Sequence, residues 1–182
     1  MKKVLLLTLL AILALSLTAC GAPAEEAPAE QGTTFVSDGL VDLSYSVPEG
    51  WERKEDNSTT LMYYPNYEGA AAVLSLWMED VKDDAAFDVE ANKTVYILVY
   101  TSGCKDYSPE LTEDVTIAGG PGLHHIFNYT SQNFPARCEL YAFTVNNQLY
   151  AFSSIMNSEA DESIIEDMSA KMQQVVESMT VN

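Results

Sequence analysis

Three cysteines and two histidines are the only thiols and imidazoles in this chain of 182 residues. They are Cys20, Cys104, Cys138, His124 and His125. A dithiol redox site needs two cysteines in a Cys-x-x-Cys spacing, which is absent. Neighbouring residues of a strand point to opposite faces, so His124 and His125 cannot easily share a metal. A zinc site would need further ligands converging from elsewhere. The expectation is one buried and one exposed histidine, with no metal bound, and nothing local supports a Cys–His nucleophilic pair. Glu79, Asp80, Asp83, Asp84, Asp88 and Glu90 form the densest acidic stretch. They lack the alternating acids and glycine of a calcium loop and read as a solvated loop and helix start. Gly-x-Ser-x-Gly, His-Glu-x-x-His, Walker-type and dinucleotide-binding patterns are also missing. No catalytic residue, metal site or cofactor is therefore predicted. Tyr63, Tyr64 and Tyr67, around Pro65-Asn66, are the one aromatic cluster near a turn. An apolar ring with a polar tip suits a recognition surface, so these three are the candidate binding surface. Strand-end packing is the competing reading.

Cys20 stands in a different context from the other two thiols. Lys2 and Lys3 precede an apolar run, Val4–Leu17, and small residues follow it. A charged start, a short apolar core and small residues before a cut site make an export signal. A spanning helix needs about 20 residues, more than this run offers. Leu17-Thr18-Ala19-Cys20 resembles the lipobox of bacterial lipoproteins. The resemblance implies diacylglycerol on the Cys20 sulfur, cleavage before Cys20 and acylation of the new amino group. Two or three acyl chains, at about 0.8 kcal/mol per buried CH₂, make a stable anchor. The expected location is the extracytoplasmic face of a bacterial membrane. The alternatives are a plain secretory signal with a coincidental cysteine and an uncleaved helix. With Cys20 acylated, Cys104 and Cys138 remain as an even pair. Outside the cytoplasm such a pair is a candidate disulfide, worth about 4 kcal/mol in the chain-entropy model. The other reading is two separate thiols, one of them buried.

The chain carries 9 basic and 27 acidic residues, a formal charge of −18. Removing Met1–Ala19 takes Lys2 and Lys3 away, which leaves 7 basic residues against 27 acidic ones and a charge of −20. Nucleic-acid binding rests on neutralising phosphates with Lys and Arg, so that partner is excluded. Flat docking on anionic lipid is disfavoured for the same reason. From Gly21 to about Thr34 the sequence is Ala-, Pro- and Glu-rich, with no aromatic or large aliphatic residue. Such a segment buries too little to offset its ordering entropy and reads as a disordered tether. Its prolines and glutamates favour extension, with a reach of up to roughly 50 Å.

Phe35–Asn182 is one domain's worth of chain. In Leu40–Val47, Leu43, Tyr45 and Val47 alternate with polar residues, which predicts a half-buried strand ending at Pro48-Glu49-Gly50. Asp56-Asn57-Ser58 marks a turn, Thr59–Tyr64 a second strand, and Ala70–Trp77 a third in a central position. Early acids and Gly103 frame a predicted helix over Asp84–Val99, against the β-propensity of Thr94–Tyr100. Strands follow at Asp114–Ile117, Leu123–Tyr129, Ala136–Val145 and Gln148–Met156. Gly119–Gly122 forms a tight connection, and Asn146-Asn147 tolerates the positive φ of a two-residue hairpin. Ser158 and Asp161 suggest a capping box. Behind them Ile164, Ile165, Met168, Met172, Val175, Val176 and Met179 recur at helical spacing. Strand runs punctuated by two helices predict an α+β domain whose antiparallel sheet is flanked by helices.

Tyr45–Trp51 resembles the opening of PsbP-like domains, where a first strand runs into Pro-x-Gly-Trp. Val115–Gly122 is similar to their central strand-turn-strand, and Gln148–Phe152 with the last helix to their end. The resemblance implies an αβα sandwich and a binding or accessory role more than catalysis. The chain therefore divides into a signal peptide over 1–19, the lipidated cysteine and tether over 20–34, and one PsbP-like domain over 35–182. The functional expectation is a lipid-anchored, non-enzymatic binding or assembly-accessory protein with a protein partner. The alternative is an enzyme or small-molecule receptor whose site is built from scattered residues.

Overall fold

A computed structural model gives the fold and describes residues 33–35, 43–57, 60–78, 81 and 90–181. The signal, Cys20, the tether up to 32, the acids of 79–88 and the expected helix start over 84–89 lie outside the described residues.

The strands are β1 (Thr33–Phe35), β2 (Leu43–Tyr45), β3 (Glu52–Asn57), β4 (Thr60–Tyr64), β5 (Ala71–Met78), β6 (Lys105–Ile117), β7 (Gly120–Ser131), β8 (Phe134–Val145), β9 (Gln148–Asn157) and β10 (Thr180–Val181). The helices are α1 (Glu90–Thr101), between β5 and β6, and α2 (Glu162–Glu177), between β9 and β10. Seven strands form one antiparallel sheet in the order β3-β4-β5-β9-β8-β7-β6. β1, β2 and β10 form a second, small antiparallel sheet in the order β1-β2-β10. Together these elements form an α+β fold with an antiparallel sheet and a helix on each face.

Local sequence explains most of the large sheet. The β6–β9 meander is joined by two-residue turns at Ala118-Gly119, Gln132-Asn133 and Asn146-Asn147, with positive φ at all six residues. Two consecutive positive φ values match the right-handed twist of the flanking strands. The first turn lies one residue earlier than expected from its glycines. Gly120 already belongs to β7, where it passes against the Thr144 carbonyl of β8.

Each sheet face buries a separate core. Under α2, Met168, Met172, Val175 and Val176 pack on Leu61, Tyr63, Leu74, Phe143, Tyr150 and Phe152. On the opposite face Tyr96, Ile97 and Tyr100 of α1 meet Leu123, Phe127, Leu140 and Leu149. This second contact settles the conflict over Thr94–Tyr100. The inward residues recur at helical spacing, and burying them outweighs the β-propensity of their neighbours. Gly103, at φ 96°, supplies the left-handed residue just past α1.

Three local expectations are corrected. The capping box does not form, because Asp161 occupies the N-cap without a side-chain hydrogen bond and the Ser158 N–H donates to the Pro135 carbonyl. β3, in the charged run Glu52–Asn57, is a strand where only a turn was expected. β6 starts at Lys105, nine residues before the expected Asp114. Both are edge strands, which tolerate charges and a proline such as Pro109 because one side of the ladder faces away from the sheet.

Candidate functional site

The two histidines lie side by side on β7 and face opposite ways. His125 is 0 % exposed on the α1 side. Its Nδ1 lies 2.9 Å from the Leu111 carbonyl and from Thr112 Oγ1, and its Nε2 lies 2.9 Å from the Tyr107 hydroxyl. A carbonyl can only accept, so Nδ1 carries the proton and Nε2 accepts from Tyr107. Burial, opposed by the Leu111 bond and aided by the charge of His124, pushes the pKa of His125 down. This is a neutral core histidine.

His124 faces the α2 side. It is not exposed as expected, since its side chain keeps only 12 % of its accessible area. Register sets its neighbours: Glu113 lies opposite it on β6 and Tyr141 opposite it on β8. Nδ1 sits 2.9 Å from Glu113 Oε1 and Nε2 sits 3.0 Å from Glu139 Oε1. The Tyr141 ring stacks on the imidazole at 4.1 Å and 6°. Burial pulls the His124 pKa down, but hydrogen bonds to Glu139 and Glu113 and their charges carry it above the ordinary value.

Glu139 is the buried centre of this group, 2 % exposed. Besides His124 it accepts from the Tyr141 hydroxyl at 3.1 Å and from Ser169 of α2, and Arg137 Nη1 stands 3.6 Å away. Burial pushes its pKa up, but the His124 and Ser169 hydrogen bonds and the charges of His124 and Arg137 hold it below the ordinary value. Arg137 continues the chain of charges, donating to Glu110 of β6 at 3.2 Å, and Asn128 donates to the same carboxylate at 2.6 Å. The network joins β6, β7, β8 and α2 in alternating charge. Its one hydroxyl of nucleophile type, Ser169, donates to a carboxylate and not to an imidazole. Such a group binds α2 to the sheet and holds a proton, but it does not form a nucleophile–base pair. Sequence reasoning missed it, although period-two alternation had already placed His124 on the face opposite His125.

The other candidates are dispersed. Tyr63 is 2 % exposed, in the core under α2, with its hydroxyl 2.7 Å from that of Tyr45. Tyr64 and Tyr67 are half-buried. Tyr67 is held by α2: Lys171 donates to its hydroxyl at 2.8 Å and lies 5.1 Å from its ring centroid. Cys104 and Cys138 are free cysteines, the first half-buried and the second buried. Both touch the cluster of Phe127, Tyr129 and Leu140. Burial pushes the Cys138 thiol far above its ordinary pKa, which keeps it from the reactive thiolate form. Among the described residues, no group of three or more His, Cys, Asp or Glu could hold a metal ion.

Two surface features remain. A shallow apolar crevice between Tyr45, Trp51 and Phe152 has no interior room even for a water molecule. Ligand pockets usually span about 300–1,000 Å³. α1 turns an apolar stripe outward, with Val95 54 %, Leu98 61 % and Val99 39 % exposed. No helix among the described residues is long and apolar enough to cross a membrane.

This architecture is the PsbP/Mog1-like fold. No protein-family profile matches the chain. No curated protein is significantly similar to it in sequence. Solved structures are similar in shape at low identity. The Ran-binding protein Mog1p of Saccharomyces cerevisiae superposes with TM-score 0.54 at 12 % identity, over 83 % of this chain and 95 % of that one. Cyanobacterial PsbP (CyanoP) of Synechocystis gives 0.54 at 12 % identity, over 91 % and 99 %. LpqN of Mycobacterium tuberculosis, described as involved in cell envelope biogenesis, gives 0.53 at 12 % identity, over 84 % and 91 %. The chain also spans 49 % of the length of a Bacteroides thetaiotaomicron protein, with TM-score 0.55 and 13 % identity. At these identities the likeness establishes the fold alone.

Proposed function

We propose that the chain is a lipid-anchored, extracytoplasmic binding or assembly-accessory protein without catalysis of its own. In this reading residues 1–19 are a signal, Cys20 carries the lipid, the residues after it up to 32 are a tether shortened by two from the expected 34 because Thr33 and Thr34 pair with β2, and the working domain runs from β1 to 182. The Leu17–Cys20 motif supports the anchor. Shared fold with LpqN and Mog1p supports a role in binding, since these neighbours are described by an envelope process and a protein partner.

The observation that carries the reading is the outward face of α1. A helix apolar on both faces calls for cover on both, and Val95, Leu98 and Val99 stand exposed in an otherwise acidic chain. The partner it fits is a protein with an apolar docking patch inside a basic surround. The reactive side chains point the same way, because His124, His125, Ser169 and Cys138 are engaged internally.

The test is crosslinking of the full-length protein in its own cells, with the wild type beside Leu98→Glu. A partner recovered with the wild type and lost with the variant is the expected result. Equal recovery from both would overturn the α1 face. Palmitate labelling tests the anchor separately: Cys20→Ser should lose the label and leave the membrane, and retained anchoring would overturn that part.

A further inference from the structure

We propose that His124 is a proton-operated clasp that fastens edge strand β6 to the interior of the sheet. The argument is geometric. A neutral imidazole has one N–H, and its other nitrogen is an acceptor. Carboxylate oxygens stand against both nitrogens of His124, at 2.9 and 3.0 Å. Both contacts are attractive only when both nitrogens donate, so the observed arrangement is that of the imidazolium. Removing the proton turns a lone pair toward one carboxylate, and one of the two contacts must open.

The surroundings decide which one. Glu139 is buried and keeps Tyr141, Ser169 and Arg137 as partners. Glu113 has 51 % of its side chain exposed. It can exchange the imidazole for water at little cost, whereas Glu139 cannot. The Glu113 arm therefore opens, and β6 loses a tie to β7.

β6 is suited to such control. It ends the seven-stranded sheet, and its ladder with β7 shifts register between Lys105 and Ser108 and again between Pro109 and Leu111. Its polar side-chain ties include Glu113 to His124 and Glu110 to Asn128 and Arg137 on the α2 side, with Tyr107 and Thr112 to His125 and Asp114 to Lys93 on the other, while Val115 and Ile117 near its end pack into the core under α2. The groups that set the clasp's charge come from every packed element. They are Glu113 of β6, Glu139, Tyr141 and Arg137 of β8, Ser169 of α2, and Glu177 of α2 through its field at Tyr141. Neighbouring His125 is the internal reference, since its hydrogen bonds require the neutral ring.

The sign follows from the direction of each pKa. His124 is raised, so its contribution to stability is complete below the unfolded value of about 6.5 and is lost as pH rises through the folded value. His125 is lowered, so its contribution is complete above about 6.5 and is lost as pH falls through the folded value. Global stability mixes these opposite slopes, and the readout must resolve each ring.

Nitrogen-detected NMR of the full-length protein does so, because it has only two imidazoles to assign. At pH 6.5 one ring should be protonated on both nitrogens in more than half of the molecules and titrate above that pH, while the other is mostly neutral. Glu113→Gln, at an exposed position, should lower the proton affinity of His124 about tenfold. Hydrogen-exchange protection of the β6 amides around Thr112 should fall as His124 deprotonates, and should be low at every pH in Glu113→Gln. Titration of His124 at or below 6.5, or a midpoint unmoved by Glu113→Gln, would overturn the clasp. So would β6 protection that ignores the His124 transition.

Discussion

Replacing Glu139 by Gln keeps the shape of the side chain and deletes its charge. The wild-type carboxylate is 2 % exposed and serves two cations, His124 and Arg137, together with two hydroxyls. The amide can accept on one side only, and its NH₂ group would meet donors on the other. The variant therefore leaves cationic groups in a poorly solvated place without their shared counter-ion. Breaking a buried pair by removing one partner costs about 3–5 kcal/mol. Against a typical total stability of about 5–15 kcal/mol this is a large share. At about 2–4 °C per kcal/mol for a chain of this size, melting should fall by roughly 6–20 °C. Urea unfolding and circular-dichroism melts at neutral pH measure both quantities. The pH profile gives a second signature. Glu139 has a lowered pKa, so its stabilisation is present above about 4.3 and lost as pH falls through the folded value; the variant should lack this acid limb. A double-mutant cycle with His124→Gln should return a coupling of about 0.5–3 kcal/mol. A loss below about 1 kcal/mol, the range of surface ion pairs, would refute the reasoning, because Glu139 would then be no buried counter-ion.

Two further outcomes are expected. Gly120→Ala should destabilise by about 1–3 kcal/mol in urea unfolding, because the added methyl would overlap the Thr144 carbonyl oxygen, a backbone atom of the adjacent strand that cannot swing aside. Thiol alkylation of the native protein should label half-buried Cys104 and spare Cys138, 1 % exposed, until the chain unfolds. A native mass two hydrogens light, with neither thiol labelled, would show the Cys104–Cys138 bridge instead.

Much of the fold was legible because helix and strand faces are local properties. The spacing of Met168, Met172, Val175 and Val176 is enough to specify an amphipathic helix, and all four are buried. Asn146-Asn147 is enough to specify a tight hairpin, and both residues adopt positive φ. Adjacent histidines in a strand pattern had to face opposite ways, and they do. The edges were not legible in the same way. β3 and the first half of β6 carry charged and polar residues because half of each ladder faces no neighbour, so the pattern that marks a buried strand is absent from them.

The candidate site divides along the same line. Sequence alone determined an acidic chain, a cysteine set in an export-like N-terminus, two further cysteines whose pairing it left open and a pair of histidines on opposite faces. Only the tertiary structure decided that Tyr63 lies in a core, that the outer face of α1 is apolar and exposed, and that His124 meets Glu113 and Glu139. The reason is register. Glu113, His124 and Glu139 lie on three strands, and which residues stand opposite depends on turn lengths and strand pairing. A shift by one residue would point each of these side chains to the other face and dissolve the network.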